Sequence, residues 1–187
     1  MEPIKLSDIR KELPFNIQKN MWAGHIKNVF GDFDYQFDFD VFLPTKGINL
    51  QRDYCWTLDQ KRELILSVIK GTDIQYFSVI IYTDERINRR TDGHKMYKII
   101  DGKQRLSTLI DFYNNKFSVI LLGQEYLYSE LPKTIKYVFD MFDIHFNQTY
   151  EYYDQLISDD NKIAWFEQIN FAGTPQEKEH LINLKHI

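Results

Sequence analysis

The chain has 187 residues and a formal net charge of −4, with 23 basic against 27 acidic side chains, and 43% of its residues are hydrophobic. This length favours one domain with a sizeable core, and the acidic balance argues against a protein whose whole surface binds nucleic acid. The single cysteine, Cys55, excludes an intramolecular disulfide and a cysteine-based zinc site. Without a signal-peptide core or a long apolar run, we expect a soluble cytoplasmic protein with no membrane partner.

The first part of the chain gives a short helix and a strand. Residues 7–13 are predicted to form one helix, which ends before Pro14. From residue 32 to residue 41 aromatic or apolar residues alternate with polar ones, which predicts a strand with one buried face. The aspartates of this strand are compatible with a metal site or a DNA mimic, but a solvated strand face is the simpler interpretation.

A second helix is predicted after Thr57. Thr57 and Gln60 have the spacing of a capping box, and apolar residues follow at helical intervals between residues 64 and 69. Arg52 lies just upstream of this helix and close to Trp56 in the sequence. Its guanidinium can bind a ligand, but it can equally stack on an aromatic ring or bridge to a carboxylate.

A strong strand is predicted over residues 76–82, followed by a polar stretch at 84–95 that connects it to the next strand as a long hairpin loop. The loop contains four basic residues, Arg86, Arg89, Arg90 and Lys95. Charges at a loop tip are usually only solvated, but a loop held by a rigid scaffold can also contact a phosphate backbone.

The most informative stretch is 96–110, which predicts a strand, a tight turn and a helix. The strand is short and apolar, Asp101 and Gly102 form a turn pair, and leucines follow at helical spacing. Asp101 is predicted to be the N-cap, with Gln104 three residues later completing a capping box.

The start of this helix is a candidate anion site. Helix N-termini attract anions because their first N–H groups have no acceptor within the helix. Gly102 lets a ligand approach the backbone, and Lys103 and Arg105 stand beside it in the sequence. A phosphate is the obvious candidate ligand.

The remainder of the chain alternates between strands and helices. We predict strands at 117–122 and 144–150, and helices at 132–142, from 159 or 160 to about 170, and near 181–184. The expected fold class is α+β, a small mixed β-sheet flanked by helices. We expect residues 1–40 to be an N-terminal extension that packs on the core, and 41–187 to be the functional domain.

Several other site types are missing from the sequence. There is no Walker phosphate loop and no G-x-S-x-G nucleophile elbow. The five histidines are scattered without a zinc-ligand spacing, so we predict no protein-held metal centre.

Three stretches resemble the signature blocks of the GmrSD-type restriction system N-terminal domain, a module with a ParB/sulfiredoxin-like fold. They are residues 50–56, 99–109 and 166–175, and they occur in the order of the family. In that family an Asp-Gly-Gln-Gln-Arg motif is associated with binding and hydrolysing a nucleoside triphosphate, which controls DNA cleavage. The resemblance therefore implies a nucleoside triphosphate with Mg²⁺ as cofactor, with its base unknown.

Carried over position by position, the resemblance implies a site. It assigns catalysis to Asp101, Gln104 and Arg105, and nucleotide binding to Gln51, Arg52, Gly102, Lys103, Ser107, Thr108 and Asn170. The first glutamine of the family motif is Lys103 here, which can still meet a phosphate as a point charge. If that glutamine positions water in the family, the substitution affects hydrolysis and leaves binding intact.

Three functions stay open. The first is a nucleotide-binding and hydrolysing domain linked to DNA restriction or phage–host conflict, and the second is a kinase of the same fold that acts on a small molecule or a DNA base. The third is a non-catalytic module that binds DNA or a partner protein, while direct nuclease activity is less favoured. Relatives usually continue into a nuclease domain, whereas this sequence ends at Ile187. The chain is therefore expected to act alone as a sensor or switch, or together with a separate nuclease subunit. If a phage encodes it, we expect it in the host cytoplasm.

Overall fold

The computed structural model describes residues 13–32, 36–83 and 96–171. The strands are β1 (Gln18–His25), β2 (Gln36–Asp38), β3 (Phe42–Leu43), β4 (Ile48–Asn49), β5 (Phe77–Thr83), β6 (Met96–Asp101), β7 (Val119–Leu121), β8 (Gln124–Tyr126) and β9 (Asp143–Tyr152). The α-helices are α1 (Leu58–Ile69), α2 (Lys103–Tyr113), α3 (Lys133–Asp140) and α4 (Asp159–Phe171), and two short helical turns lie at Asn28–Asp32 and Tyr128–Glu130. Three predicted elements lie outside the described residues, namely the helix at 7–13 except for its last residue, the basic loop at 84–95 and the helix near 181–184.

Five strands form a central mixed sheet in the order β1-β9-β5-β6-β2. β1 is antiparallel to β9 and β5 is antiparallel to β6, whereas β9 is parallel to β5 and β2 is parallel to β6. The predicted α+β class with a mixed sheet and flanking helices is confirmed, and its ParB/sulfiredoxin-like character stays a prediction. β1 and β2 both come from residues 1–40 and pair within this sheet, while the division at residue 40 stays a prediction.

Both faces of the sheet are covered, which explains why β5 is a nearly continuous apolar run. Along β5, Val79 and Ile81 pack into a core with α1, α2 and α3, whereas Ile80 belongs to a second core. Trp165 and Phe166 of α4 fill that second core. The alternation follows from the two-residue period of a strand, and it puts β6 between α2 on one side and α4 on the other.

The predicted helices at 132–142 and from 159 to 170 are confirmed, as are the strands at 76–82 and 144–150. α1 begins as predicted, with a capping box between Thr57 and Gln60. The strand predicted over 32–41 is too long, since Asp32 ends a short helical turn that begins at Asn28. At the other end, the N–H of Asp40 donates to the Asp38 carboxylate at 3.0 Å and turns the chain after β2.

Candidate functional site

The turn between β6 and α2 differs from its predicted form. Asp101 is the last residue of β6, and Gly102 is the N-cap of α2, without a side-chain cap. The predicted capping box of Asp101 and Gln104 is therefore wrong. The physical reason is competition, since the Asp101 carboxylate accepts from Arg105 at 2.8 Å and the Gln104 side chain reaches a different segment.

Gly102 is required at this turn for two reasons. Its φ of 101° is in the left-handed region, where side chains are strained. A Cβ atom at this position would also overlap the ring of Phe77, lying 3.0 Å from Cε1 and closer still to Cδ1. The start of α2 therefore packs against the first residue of β5 with no room for a side chain.

Asp101 and Arg105 form a shielded ion pair in which each side chain is 14% exposed. The Arg105 guanidinium also donates to the Gln75 carbonyl oxygen and lies 5.1 Å from the centre of the Phe77 ring. Burial raises the pKa of the Asp101 carboxyl, although the charge of Arg105 acts in the opposite direction. Burial likewise lowers the pKa of Arg105, against the effect of the carboxylate. This guanidinium is thus occupied by acceptors of the chain itself.

Lys103 is the cation at the first position of α2. Its side chain is only 7% exposed, and its Nζ lies 2.6 Å from a carboxylate oxygen of Asp40, whose own side chain is 68% exposed. The sequence does not predict Asp40 as a site residue, because the acidic alternation before β3 is typical of a solvated face. The ammonium group therefore lies at the helix start with a counter-ion that water also reaches.

Gln104 joins α2 to the stretch before α1. Its Oε1 accepts from the N–H of Cys55 at 3.0 Å, and its Nε2 donates to the carbonyl oxygen of Asp53 at 3.0 Å. Both contacts are to main-chain atoms about fifty positions away in the sequence. We call this pair of hydrogen bonds the Gln104 clamp.

Two further contacts fix the same stretch. The Gln51 side chain is buried and donates to the carbonyl oxygen of Ile99 in β6. The Tyr54 hydroxyl lies 2.7 Å from the hydroxyl of Thr108, which donates to the Gln104 carbonyl oxygen within α2. The structure thus brings the 50–56 and 99–109 blocks together.

Arg52 lies inside this fixed stretch but is held differently. The residue is half-buried, and its Nε is buried without a hydrogen-bond partner among the described residues. Buried polar atoms in proteins nearly always have a partner, so the Nε of Arg52 is an exception to this rule. Its neighbours Gln51 and Asp53 are both bonded to β6 or α2.

The other predicted site residues are less informative. Ser107 is half-buried on α2. Asn170 is buried near the end of α4, where its Nδ2 donates to the Phe166 carbonyl oxygen at 2.7 Å within its own helix. The basic loop residues Arg86, Arg89, Arg90 and Lys95 lie outside the described residues, and so does Gly173, which belongs to the 166–175 block.

Comparison with known families decides the relationship. Residues 26–187 match the family described as GmrSD restriction endonuclease, N-terminal domain. The chain belongs to this family. Membership associates this GmrSD_N domain with restriction and phage defence. None of the curated proteins or solved structures compared with the chain gave a significant match.

Two kinds of feature are absent from the described residues. None of their helices has the length and apolar character needed to cross a membrane. Across the same ranges, no three side chains of the His, Cys, Asp or Glu type are grouped closely enough to hold a metal ion.

Proposed function

We propose that this GmrSD_N domain binds a nucleoside triphosphate with Mg²⁺ at the start of α2 and hydrolyses it, and that this step controls DNA restriction. The observation that carries the proposal is the unpartnered, buried Nε of Arg52 in a stretch fixed to β6 and α2. A guanidinium is suited to phosphate because it presents several donors in one plane.

The electrostatics of the turn support an anionic ligand. The first N–H groups of α2 have no acceptor inside the helix, and the helix dipole favours negative charge there. Lys103 adds a buried ammonium group at the same helix start. When bound, the nucleotide would supply phosphate oxygens that match these donors.

Asp101 and Arg105 enter the proposal in a more restricted role. Each side chain is 14% exposed, and their mutual ion pair together with the bond from Arg105 to Gln75 holds both at the turn. We therefore propose that the pair shapes the turn that receives the phosphates. Their direct participation in catalysis stays a prediction.

The test of binding uses Arg52→Met and a matched control. Isothermal titration with ATP, GTP, CTP and UTP, each with Mg²⁺, should give one measurable affinity for the wild type. Loss of a charge-assisted hydrogen bond should weaken it about 10- to 100-fold in Arg52→Met. Arg62→Met is the control, because that guanidinium bonds to Ser118 and Glu125 near β7 and β8.

Two results would refute the proposal. One is an Arg52→Met affinity equal to that of the wild type, and the other is a wild type that binds none of the four nucleotides. A loss of the same size in Arg62→Met would mean that the effect is not specific to the start of α2.

Turnover needs a separate experiment, because the kinase alternative shares the same binding site. Nucleotide labelled at the γ-phosphate would be followed with and without DNA and small-molecule acceptors. Label released as phosphate supports hydrolysis, and label on an acceptor supports transfer. Lys103→Gln restores the family motif. If the wild type binds the nucleotide without turnover and this variant releases phosphate, Lys103 is the reason why the wild type does not hydrolyse the nucleotide.

A non-catalytic role is the second candidate, favoured by the basic residues at 84–95 in a domain of a restriction family. In this case DNA or a separate nuclease subunit would be the partner. Phosphate contacts weaken steeply with salt, so DNA affinity would be measured from about 50 to 200 mM salt. Salt-dependent DNA binding that is lost when Arg86, Arg89, Arg90 and Lys95 are replaced, together with no nucleotide binding, would favour this candidate.

A further inference from the structure

We infer that Gln104 is a positioning residue, which acts on the ligand through Arg52 and does not touch it. The inference rests on the proposed function, since it names how the guanidinium of that site is held. It also revises the catalytic role that the family resemblance implies for Gln104.

The chemistry of the clamp explains why a glutamine is needed. One carboxamide accepts from the N–H of Cys55 and donates to the carbonyl oxygen of Asp53, so both ends of the group are used. A carboxamide carries an acceptor and donors in one plane, whereas a carboxylate cannot donate and an ammonium cannot accept. The two bonds together fix the orientation of the Gln104 carboxamide against the stretch before α1.

The clamp is one of several contacts along the same helix face. Thr108 lies four residues after Gln104 in α2, and residues at this spacing share a face. Its hydroxyl contacts that of Tyr54, the residue between the two that the clamp holds. Three consecutive residues of the stretch are thereby attached to α2.

Arg52 lies between two anchored neighbours. On one side Gln51 is bonded to β6, and on the other Asp53 is bonded to Gln104. The backbone of Arg52 is therefore fixed from both sides, while its Nε has no hydrogen-bond partner among the described residues. A donor held in place before binding needs less ordering when the ligand arrives, which increases affinity.

The decisive test is a double-mutant cycle on nucleotide affinity. Gln104→Met keeps a similar shape without the two hydrogen bonds, and it would be combined with Arg52→Met. Freeing one long side chain should weaken binding of the Mg²⁺–nucleotide about 2- to 10-fold in the presence of Arg52. The same change should cause no further loss in the Arg52→Met protein.

A matched control separates positioning from general loss of stability. Gln60→Met removes a glutamine oxygen that accepts from the N–H of Thr57 at 2.9 Å, a bond of the same kind at the start of α1. This variant should bind the nucleotide as the wild type does. Amide hydrogen exchange at Cys55 provides a second readout, which should become faster in Gln104→Met and stay unchanged in Gln60→Met.

The outcomes are distinguishable. An equal loss from Gln104→Met with and without Arg52 would overturn the inference, because it would mean that Gln104 affects binding independently of Arg52. If the wild type binds no nucleotide, the proposed function fails. Amide hydrogen exchange at Cys55 then tests the Gln104 clamp by itself, and an unchanged exchange rate in Gln104→Met would refute it. If Gln104→Met does not fold, Gln104→Glu replaces it, since it keeps only the acceptor for Cys55.

Discussion

Replacing Gly102 by alanine tests whether the start of α2 is packed as tightly against β5 as the structure indicates. The added Cβ would overlap the Phe77 ring, and the backbone would keep its φ of +101°. The left-handed conformation costs an alanine about 1–2 kcal/mol. Forcing a methyl group into a filled core costs about 1–3 kcal/mol more. We therefore expect Gly102→Ala to lower the free energy of unfolding by about 2–5 kcal/mol.

Gly71→Ala is the matched control for this substitution. Gly71 follows α1 with a φ of +73°, and a Cβ atom added there would have no atom of the described residues within 4 Å. It should lose only the backbone contribution of about 1–2 kcal/mol. The difference between the two variants then measures the contact with Phe77.

Urea denaturation, followed by far-UV circular dichroism, would measure all the variants. Phe77→Leu, alone and combined with Gly102→Ala, completes a double-mutant cycle. Because leucine leaves room for the new methyl group, Gly102→Ala should cost less in the Phe77→Leu protein. Equal losses for Gly102→Ala and Gly71→Ala, or additive effects in the cycle, would refute the packing argument.

Three further substitutions address the charges. Asp101→Asn should lower the free energy of unfolding by about 3 kcal/mol in urea, because it leaves the shielded guanidinium of Arg105 without a counter-ion. Glu151→Gln should cost about 3–5 kcal/mol by thermal or urea unfolding, since its fully buried carboxylate pairs with two lysines. Lys103→Met should change the free energy of unfolding by less than about 1 kcal/mol, because Asp40 stays hydrated.

Much of the secondary structure can be predicted because its signals are local. α1 begins at a capping box, and its apolar spacing alone defines the buried face. β5 is apolar on both sides because both its faces are covered. The order of the strands cannot be predicted in this way, since β1 pairs with β9 more than a hundred residues later, with a register shift between Gln18 and Trp22.

The candidate site shows the same division between local and distant contacts. The strand, turn and helix around Gly102 follow from the sequence, and so does the nearness of the two motif blocks, through the family resemblance. The sequence does not predict the ion-pair partners of Asp101 and Lys103, because tertiary packing decides which charged groups come within reach of these side chains. Asp101 has the right spacing for a cap, but its carboxylate accepts a hydrogen bond from Arg105, one turn later, and does not cap the helix.

The Gln104 clamp has a consequence for how this domain can diverge. It recognises a carbonyl oxygen and an N–H group, which every residue other than proline offers in the same form. Side chains at positions 53 and 55 can therefore be exchanged without disturbing the contact, while the glutamine itself cannot. Correlated substitutions among relatives would therefore not reveal this contact, although it joins the 50–56 and 99–109 blocks.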